Sequence, residues 1–409
     1  MTPAKGLPDL STVVGANLFD GTFPLPTAVL LEEALAHNIA TMAAYCAENG
    51  VLLAPHGKTT MCPLLIRRQL DAGAWAVTVA TAWQAAVLAK TGVPRLVLAN
   101  EVVDPGSVRM LDEVLARHPE LEVYAYTDSG ASLHALVAGI GEARRSRLRL
   151  LIELGFAGGR TGVRDDDNAL DLAWAVAASP FALAGVAAFE GSVHGVDLPD
   201  TLELVDRLLD RMVDLALTAN AEGVVGDIAP IVTVGGSAYF DRVTAKLPAA
   251  LAGTPYRTVL RSGCYVTHDA GHYESLSPFG AVPRGPQPQV PYRFREALRV
   301  WAPVLSRPEP TLALAGLGRR DVSTDAGMPV PRVWRDATGR STPLDPADFE
   351  VTRTNDQHAY LAVPAGHPLA VGDLIGFGIS HPCTTFDKWR ALPVVAADGT
   401  VLELAETIF

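Results

Sequence analysis

Between residues 28 and 284 the chain alternates short apolar runs with amphipathic stretches. The runs 51–54, 75–80, 95–99, 121–126, 148–153, 184–189, 231–234 and 257–260 are brief, apolar or β-branched, and bounded by Gly, Pro or charge. That pattern predicts eight strands. Segments such as 31–48 and 202–221 place apolar residues at helical spacing between them. Eight strands alternating with helices over about 250 residues is the repeat of a (β/α)8 TIM-type barrel. An open doubly wound sheet shows the same alternation, because periodicity does not fix closure; the repeat count favours the barrel.

Beyond Pro283 the pattern changes. Pro283, Pro286, Pro288 and Pro291 crowd one stretch, and helical periodicity then fades. The runs 298–304, 311–315, 349–351, 359–363 and 374–379 are separated by Gly, Pro and Asp turns, which predicts a small C-terminal all-β domain. The segment ending Phe23-Pro24-Leu25-Pro26-Thr27 is expected to add a strand to it. The expected organisation is therefore a barrel over 28–284, with 1–27 and 285–409 forming the β domain.

Composition narrows the function. With 409 residues, 49% of them apolar, the chain is long enough for two buried cores. No apolar run reaches the ~18–20 residues that span a bilayer. Residues 1–10 lack the basic start and apolar stretch of a secretory signal. A cytoplasmic protein without a membrane partner is expected. A net charge of −12 argues against a nucleic-acid partner. Cys46, Cys62, Cys264 and Cys383 follow no disulfide or CxxC spacing.

Four motifs carry chemistry. Lys58, in Pro55-His56-Gly57-Lys58-Thr59-Thr60, follows the first predicted strand, and a barrel's catalytic side chains sit at strand C-termini. Partial desolvation there suits a lysine to Schiff-base formation, although position alone equally describes a helix-entry lysine. Glu153-Leu154-Gly155-Phe156-Ala157-Gly158-Gly159-Arg160-Thr161-Gly162 follows the fifth strand and offers Arg160 to an anionic oxygen. Gly235-Gly236-Ser237 follows the seventh strand, and Arg261-Ser262-Gly263-Cys264-Tyr265 the eighth. Loops at those two strand ends commonly cradle phosphate through backbone N–H groups. Finally, His381-Pro382-Cys383 supplies an imidazole and a thiolate, a pair that favours Zn²⁺ if extended backbone keeps both on one side. Asp356 and His358 lie near enough in sequence to add a ligand or a supporting group.

In this order the motifs resemble the fold-type III pyridoxal-phosphate enzymes, specifically the D-threonine aldolase and metal-dependent D-serine dehydratase branch with its alanine racemase-like barrel. The resemblance spans nearly the whole chain. It implies pyridoxal 5′-phosphate bound to Lys58 beside His56, and Arg160 against the cofactor's phenolic oxygen. It also implies phosphate turns at Gly235-Gly236-Ser237 and Gly263-Cys264-Tyr265, a metal on His381 and Cys383, and a homodimer. Two positions depart from the family pattern: Phe189 stands where relatives often have tyrosine near the cofactor ring, and Cys264 where they usually have serine. Phe189 can pack against the ring but cannot hydrogen-bond to it.

Within that branch, aldolases resemble His-x-Asp, suited to Mn²⁺ or Mg²⁺, and dehydratases His-x-Cys, suited to Zn²⁺. Cys383 points to dehydration and deamination of a D-3-hydroxy amino acid, such as D-serine or D-threonine, giving a 2-oxo acid and ammonia. The alternative is retro-aldol cleavage to glycine and an aldehyde, with His194 as the base. A non-catalytic pyridoxal-phosphate-binding protein is the third reading; its small representatives lack a C-terminal β domain. A racemase needs a second base opposite Lys58, and none is identified.

Overall fold

Eight short strands build one parallel sheet in the computed structural model, which describes residues 4–7, 13–226, 228–281 and 292–409. The proline-rich stretch Pro283–Pro291 and the expected boundary at 284/285 lie outside the described residues. A first strand, β1 (Thr27–Leu31), and helix α1 (Glu32–Glu48) precede this sheet. Its strands are β2 (Leu52–Leu53), β3 (Val77–Val79), β4 (Arg95–Glu101), β5 (Glu122–Thr127), β6 (Leu148–Leu154), β7 (Ala182–Ala188), β8 (Ile231–Thr233) and β9 (Arg257–Leu260). They pair in the order β2-β9-β8-β7-β6-β5-β4-β3. Most residues of these strands are buried, so they read as apolar runs without alternation, as parallel strands covered on both faces do.

The helices between them start where the sequence supplies caps. Thr81, Asp104, Ser129, Asp165 and Asp197 each accept a first-turn N–H, opening α2 through α7 at all but the first position: α2 (Pro63–Asp71), then α3 (Ala82–Ala89), α4 (Pro105–Arg117), α5 (Gly130–Gly139), α6 (Asp166–Ala177) and α7 (Leu198–Ala221). Helix α8 (Phe240–Ala250) follows β8.

The sheet closes at its weakest seam. β2 has two residues rather than the four expected, because Pro55 brings no N–H to extend the ladder. The Trp75 N–H donates to the Leu53 carbonyl at 2.7 Å, and the Thr78 N–H to the Pro55 carbonyl at 2.9 Å. A parallel bridge pairs His56 with Thr78. β2 and β3 are thereby joined, which sets His56 in the wall and Lys58 just beyond it.

The second sheet has ten strands. These are β1, β10 (Leu298–Glu309), β11 (Leu312–Ala315), β12 (Val330–Arg335), β13 (Ser341–Pro343), β14 (Glu350–Thr354), β15 (Ala359–Ala362), β16 (Leu374–Gly378), β17 (Ala391–Val395) and β18 (Val401–Glu406). The main path runs β13-β12-β16-β10-β1-β17-β18, with β11, β15 and β14 branching from β10. β1 is interior, antiparallel to β10 and parallel to β17. Its core includes Leu30, Val300, Phe377, Phe386, Trp389 and Leu392, each at most 1% exposed. Two short helices, α9 (His272–Leu276) and α10 (Cys383–Phe386), sit outside the strands.

The chain divides into two compact units, Met42–Lys58 with Gln69–Gly263, and Met1–Thr41 with Thr59–Arg68 and Cys264–Phe409. The exchange between them falls at 41/42, 58/59, 68/69 and 263/264, whereas the sequence reading places single breaks after 27 and 284. Among the described residues, no helix is long and apolar enough to cross a membrane.

Candidate active site

The barrel unit holds a cavity of about 220 Å³ lined by His56, Lys58, Tyr126, Glu153, Arg160, Phe189, Gly236 and Arg261, among others. Strand ends supply most of these residues: β5 presents Tyr126, β6 Glu153, and β7 and β9 lead directly into Phe189 and Arg261. Lys58 sits on the 3₁₀ turn Gly57–Thr59. A Cβ on Gly57 would come within 2.8 Å of the Leu88 side chain and 3.0 Å of Val77, so only glycine lets the chain turn this close to β3 and α3. The Lys58 side chain is exposed, which corrects the expected desolvation: the turn lifts it off the wall that encloses His56.

Arg160 lies over the Phe189 ring at 4.4 Å. The loop carrying it is pinned at its base, where the Gly155 N–H donates to the Val163 carbonyl and the Val163 N–H to that of Glu153. Gly162 (φ +96°) allows the crossing, since a Cβ there would meet Gly155 N at 2.5 Å. Arg261, 5% exposed, donates to Thr233 Oγ1 at 2.8 Å and to the Ala188 carbonyl at 2.5 Å. Sequence reasoning passed over Arg261 as part of a glycine turn; an arginine directly after a buried apolar strand was the available signal.

Burial drives the His56 pKa well below its ordinary value, and the charges of Lys58 and Arg261 add to the effect, so His56 is neutral. Among the described residues, no partner reaches its Nδ1 or the Tyr126 hydroxyl, both buried. Three cationic side chains (Lys58, Arg160, Arg261) face one carboxylate (Glu153) in this lining. Unpaired buried polar atoms, an excess of positive charge and a free primary amine fit an anionic carbonyl-bearing cofactor such as pyridoxal phosphate.

The expected phosphate turn is differently engaged. The buried Glu190 carboxylate accepts the Gly235 N–H at 3.1 Å and the Gly236 N–H at 2.6 Å. The Ser262 hydroxyl donates to the Gly236 carbonyl at 2.9 Å. Sequence reasoning took Phe189-Glu190-Gly191 for its aromatic residue alone and missed the carboxylate. His194 lies exposed in the loop after β7 and is not among the residues lining the cavity.

A second acidic group lies at the ends of neighbouring barrel strands. Donor atoms of Glu101, Asp128 and Glu153 lie within 4.8 Å of one another. Burial, then hydrogen bonding to Glu153 and its charge, push the Glu101 carboxyl up to about 9.

The other unit gathers Cys264, His381 and Cys383, whose donor atoms also lie within 4.8 Å of one another. The expected extended geometry is corrected. Pro382 is helical (φ −74°, ψ −36°) and Cys383 opens α10, so a turn, not strand alternation, brings the pair together. His381 Nδ1 lies 2.9 Å from an Asp325 carboxylate oxygen, and the Thr384 hydroxyl donates to the other oxygen at 3.1 Å. A carboxylate behind one ring nitrogen leaves the other to bind metal, the usual support for a ligating histidine. Burial opposes protonation of His381, but Cys383 and Asp325 outweigh it and lift the pKa to about 9. Hydrogen bonding from Cys264, aided by His381 and Thr59, holds the Cys383 thiol well below its ordinary value against its burial. The Thr59 hydroxyl lies 3.5 Å from Cys383 Sγ.

Cys264 thus lies with the thiol–imidazole group, and Tyr265 is buried against Phe294 at 5.8 Å. Asp356 pairs with Arg320 at 3.5 Å, and neither it nor His358 belongs to the donor group. Thiolate and imidazole together suit a borderline-soft divalent ion, so this group fits the expected metal.

A parallel eight-stranded barrel with a lysine beyond its first strand, joined to a β domain, defines an alanine racemase-like enzyme class. Residues 297–395 match the family model described as "Putative serine dehydratase domain". The chain is 27% identical to a D-threonine aldolase of Arthrobacter sp over 385 residues, covering 93% of this chain and 91% of that protein. It is also 27% identical to the D-threo-3-hydroxyaspartate dehydratase of Delftia sp. (strain HT23) over 397 residues, 93% and 96% of the two chains. The solved D-threonine aldolase of Filomicrobium marinum superposes with a TM-score of 0.77 at 23% identity, covering 96% of this chain and 97% of that one. A cysteine-to-alanine D-threo-3-hydroxyaspartate dehydratase, solved in the metal-free form, superposes at 0.71 with 24% identity over 95% and 98% of the chains. The chain belongs to the D-threonine aldolase and serine dehydratase branch of the alanine racemase-like enzymes, and it is a lyase. That branch works with pyridoxal phosphate and binds metal.

Proposed function

We propose that this lyase dehydrates and deaminates a D-3-hydroxy amino acid, such as D-serine or D-threonine, to a 2-oxo acid and ammonia. The observation that carries the proposal is the meeting of His381 with Cys383, with Asp325 fixing the histidine ring. A thiolate in the metal set favours zinc, the ion of the dehydratase pattern. The curated relatives include both an aldolase and a dehydratase, so the donor set decides between them.

Lys58 would hold pyridoxal phosphate, with Arg160, Phe189, His56 and Arg261 around it, and His381 and Cys383 would hold zinc. The bound cofactor supplies an electron sink for charge developing at Cα, and the metal supplies a Lewis acid that makes the β-hydroxyl a better leaving group. Lys58 Nζ takes the proton from the substrate's Cα. Neutral His56 keeps an additional charge away from that amine, and Arg160 stays available to an anionic oxygen while stacked on Phe189. The elements of water leave Cα and Cβ, and water re-enters as the nitrogen departs as ammonia, so the net reaction balances without an oxidant.

Chelation tests the scheme. Dialysis against EDTA is expected to abolish oxo-acid formation, and added Zn²⁺ to restore it. Undiminished turnover in protein shown by elemental analysis to be metal-free would refute it.

A further inference from the structure

Resting on the reading that His381 and Cys383 hold a metal, we infer that Cys264 is a third protein ligand, making the centre a Cys₂His zinc site with one position left for substrate. The sulfur geometry is the first argument. Cys264 Sγ lies 3.6 Å from Cys383 Sγ, too far for a disulfide, and both cysteines are free. Two thiolates on one tetrahedral zinc, each about 2.3 Å from the ion, are separated by about 3.7 Å. The imidazole lies within 4.8 Å of both sulfurs, as a third corner of the same polyhedron must.

The surroundings of the sulfurs support the same role. The Thr59 hydroxyl lies 3.8 Å from Cys264 Sγ and 3.5 Å from Cys383 Sγ, placed to donate to either. Cys264 is 5% exposed and opens the 3₁₀ turn Cys264–Val266, while Cys383 opens α10, so each sulfur is fixed by a short turn. Two buried sulfurs converging on an imidazole whose far nitrogen is held by Asp325 form a donor set that lacks only a cation. Three protein ligands and an open fourth position is the pattern of catalytic rather than structural zinc. Two thiolates also select against Mg²⁺ and Mn²⁺ more strongly than one does. Cys264 is thereby released from the phosphate turn and becomes a determinant of which metal the protein accepts.

The experiment counts thiolates on the metal in the full-length protein. Metal-depleted protein is loaded with one equivalent of Co²⁺, and the sulfur-to-cobalt charge-transfer band is compared in wild type, Cys264→Ser, Cys383→Ser and the control Cys46→Ser. Zinc affinity is measured in parallel by competition with a chromogenic chelator. Wild type should show a two-thiolate band, and each single ligand variant about half of it. Zinc affinity in Cys264→Ser should fall by roughly 100-fold or more, with Cys46→Ser unchanged. X-ray absorption at the zinc edge of the wild-type protein gives the sulfur count directly, so the question is decided even if a variant does not fold. One sulfur in wild type, with Cys264→Ser indistinguishable from it, overturns the inference and leaves the His381–Cys383 metal intact. Absence of stoichiometric metal binding in wild type overturns both.

Discussion

Glu101 keeps its proton at neutral pH, because burial and the neighbouring Glu153 push its pKa from the ordinary 4.5 up to about 9. Between those values the folded chain binds a proton that the unfolded chain has lost, so this residue makes stability fall as pH rises through the window. Glu101→Gln should remove that slope and raise Tm by roughly 3 °C at pH 8, with little change at pH 4. Thermal melts across pH check it, and parallel curves for the two proteins would contradict it. Asp325 acts through another side chain: it holds His381 Nδ1 and leaves the metal-facing nitrogen in place. Asp325→Ala should weaken zinc binding by about 10–100-fold, as loss of such a support does, while Asp325→Asn retains part of it. Chelator competition measures both variants, and unchanged affinity in Asp325→Ala would remove Asp325 from the centre. At this scale the sequence displayed Lys58, Arg160, His381 and Cys383 because each sits in a compact motif. Glu190, Arg261 and Asp325 were not legible, since each takes its meaning from a residue at least 45 positions away.

Among the elements, β1 holds the second sheet together. It lies between β10 and β17, pairing Thr27 with Trp301 on one side and Leu30 with Val394 on the other. Deleting it would leave both neighbours with unpaired backbone groups and strip Leu30 from the core. A fragment of residues 292–409 alone should therefore lack a cooperative thermal transition and near-ultraviolet circular dichroism. A sharp two-state melt of that fragment would show that β1 is dispensable. The Pro24-Leu25-Pro26 run announced a strand near this point, but its central place could not be read from its residues. Sheet order is set by pairing across some 270 residues, which local periodicity does not record. The barrel strands were legible because burial on both faces makes each a dense apolar run. β2 was overestimated because a ladder partner, not apolarity, sets a strand's length.

For the whole molecule, the chain exchanges between its two units at 58/59 and 263/264, directly after Lys58 and directly before Cys264. The cofactor lysine and the first sulfur therefore border chain crossings, which the charge and composition of the sequence did not foreshadow. The proposed function draws on both units: the barrel supplies the amine that takes the α-proton, and the β unit supplies the metal that labilises the hydroxyl. Lys58→Ala should lose the visible absorption of lysine-bound cofactor and all turnover, yet bind zinc with wild-type affinity, because His381, Cys383 and Asp325 lie in the other unit. The most direct measurement is product analysis of the cofactor- and zinc-loaded protein incubated with D-serine and D-threonine. Equimolar 2-oxo acid and ammonia is the result predicted, and glycine with an aldehyde in their place would contradict the assignment.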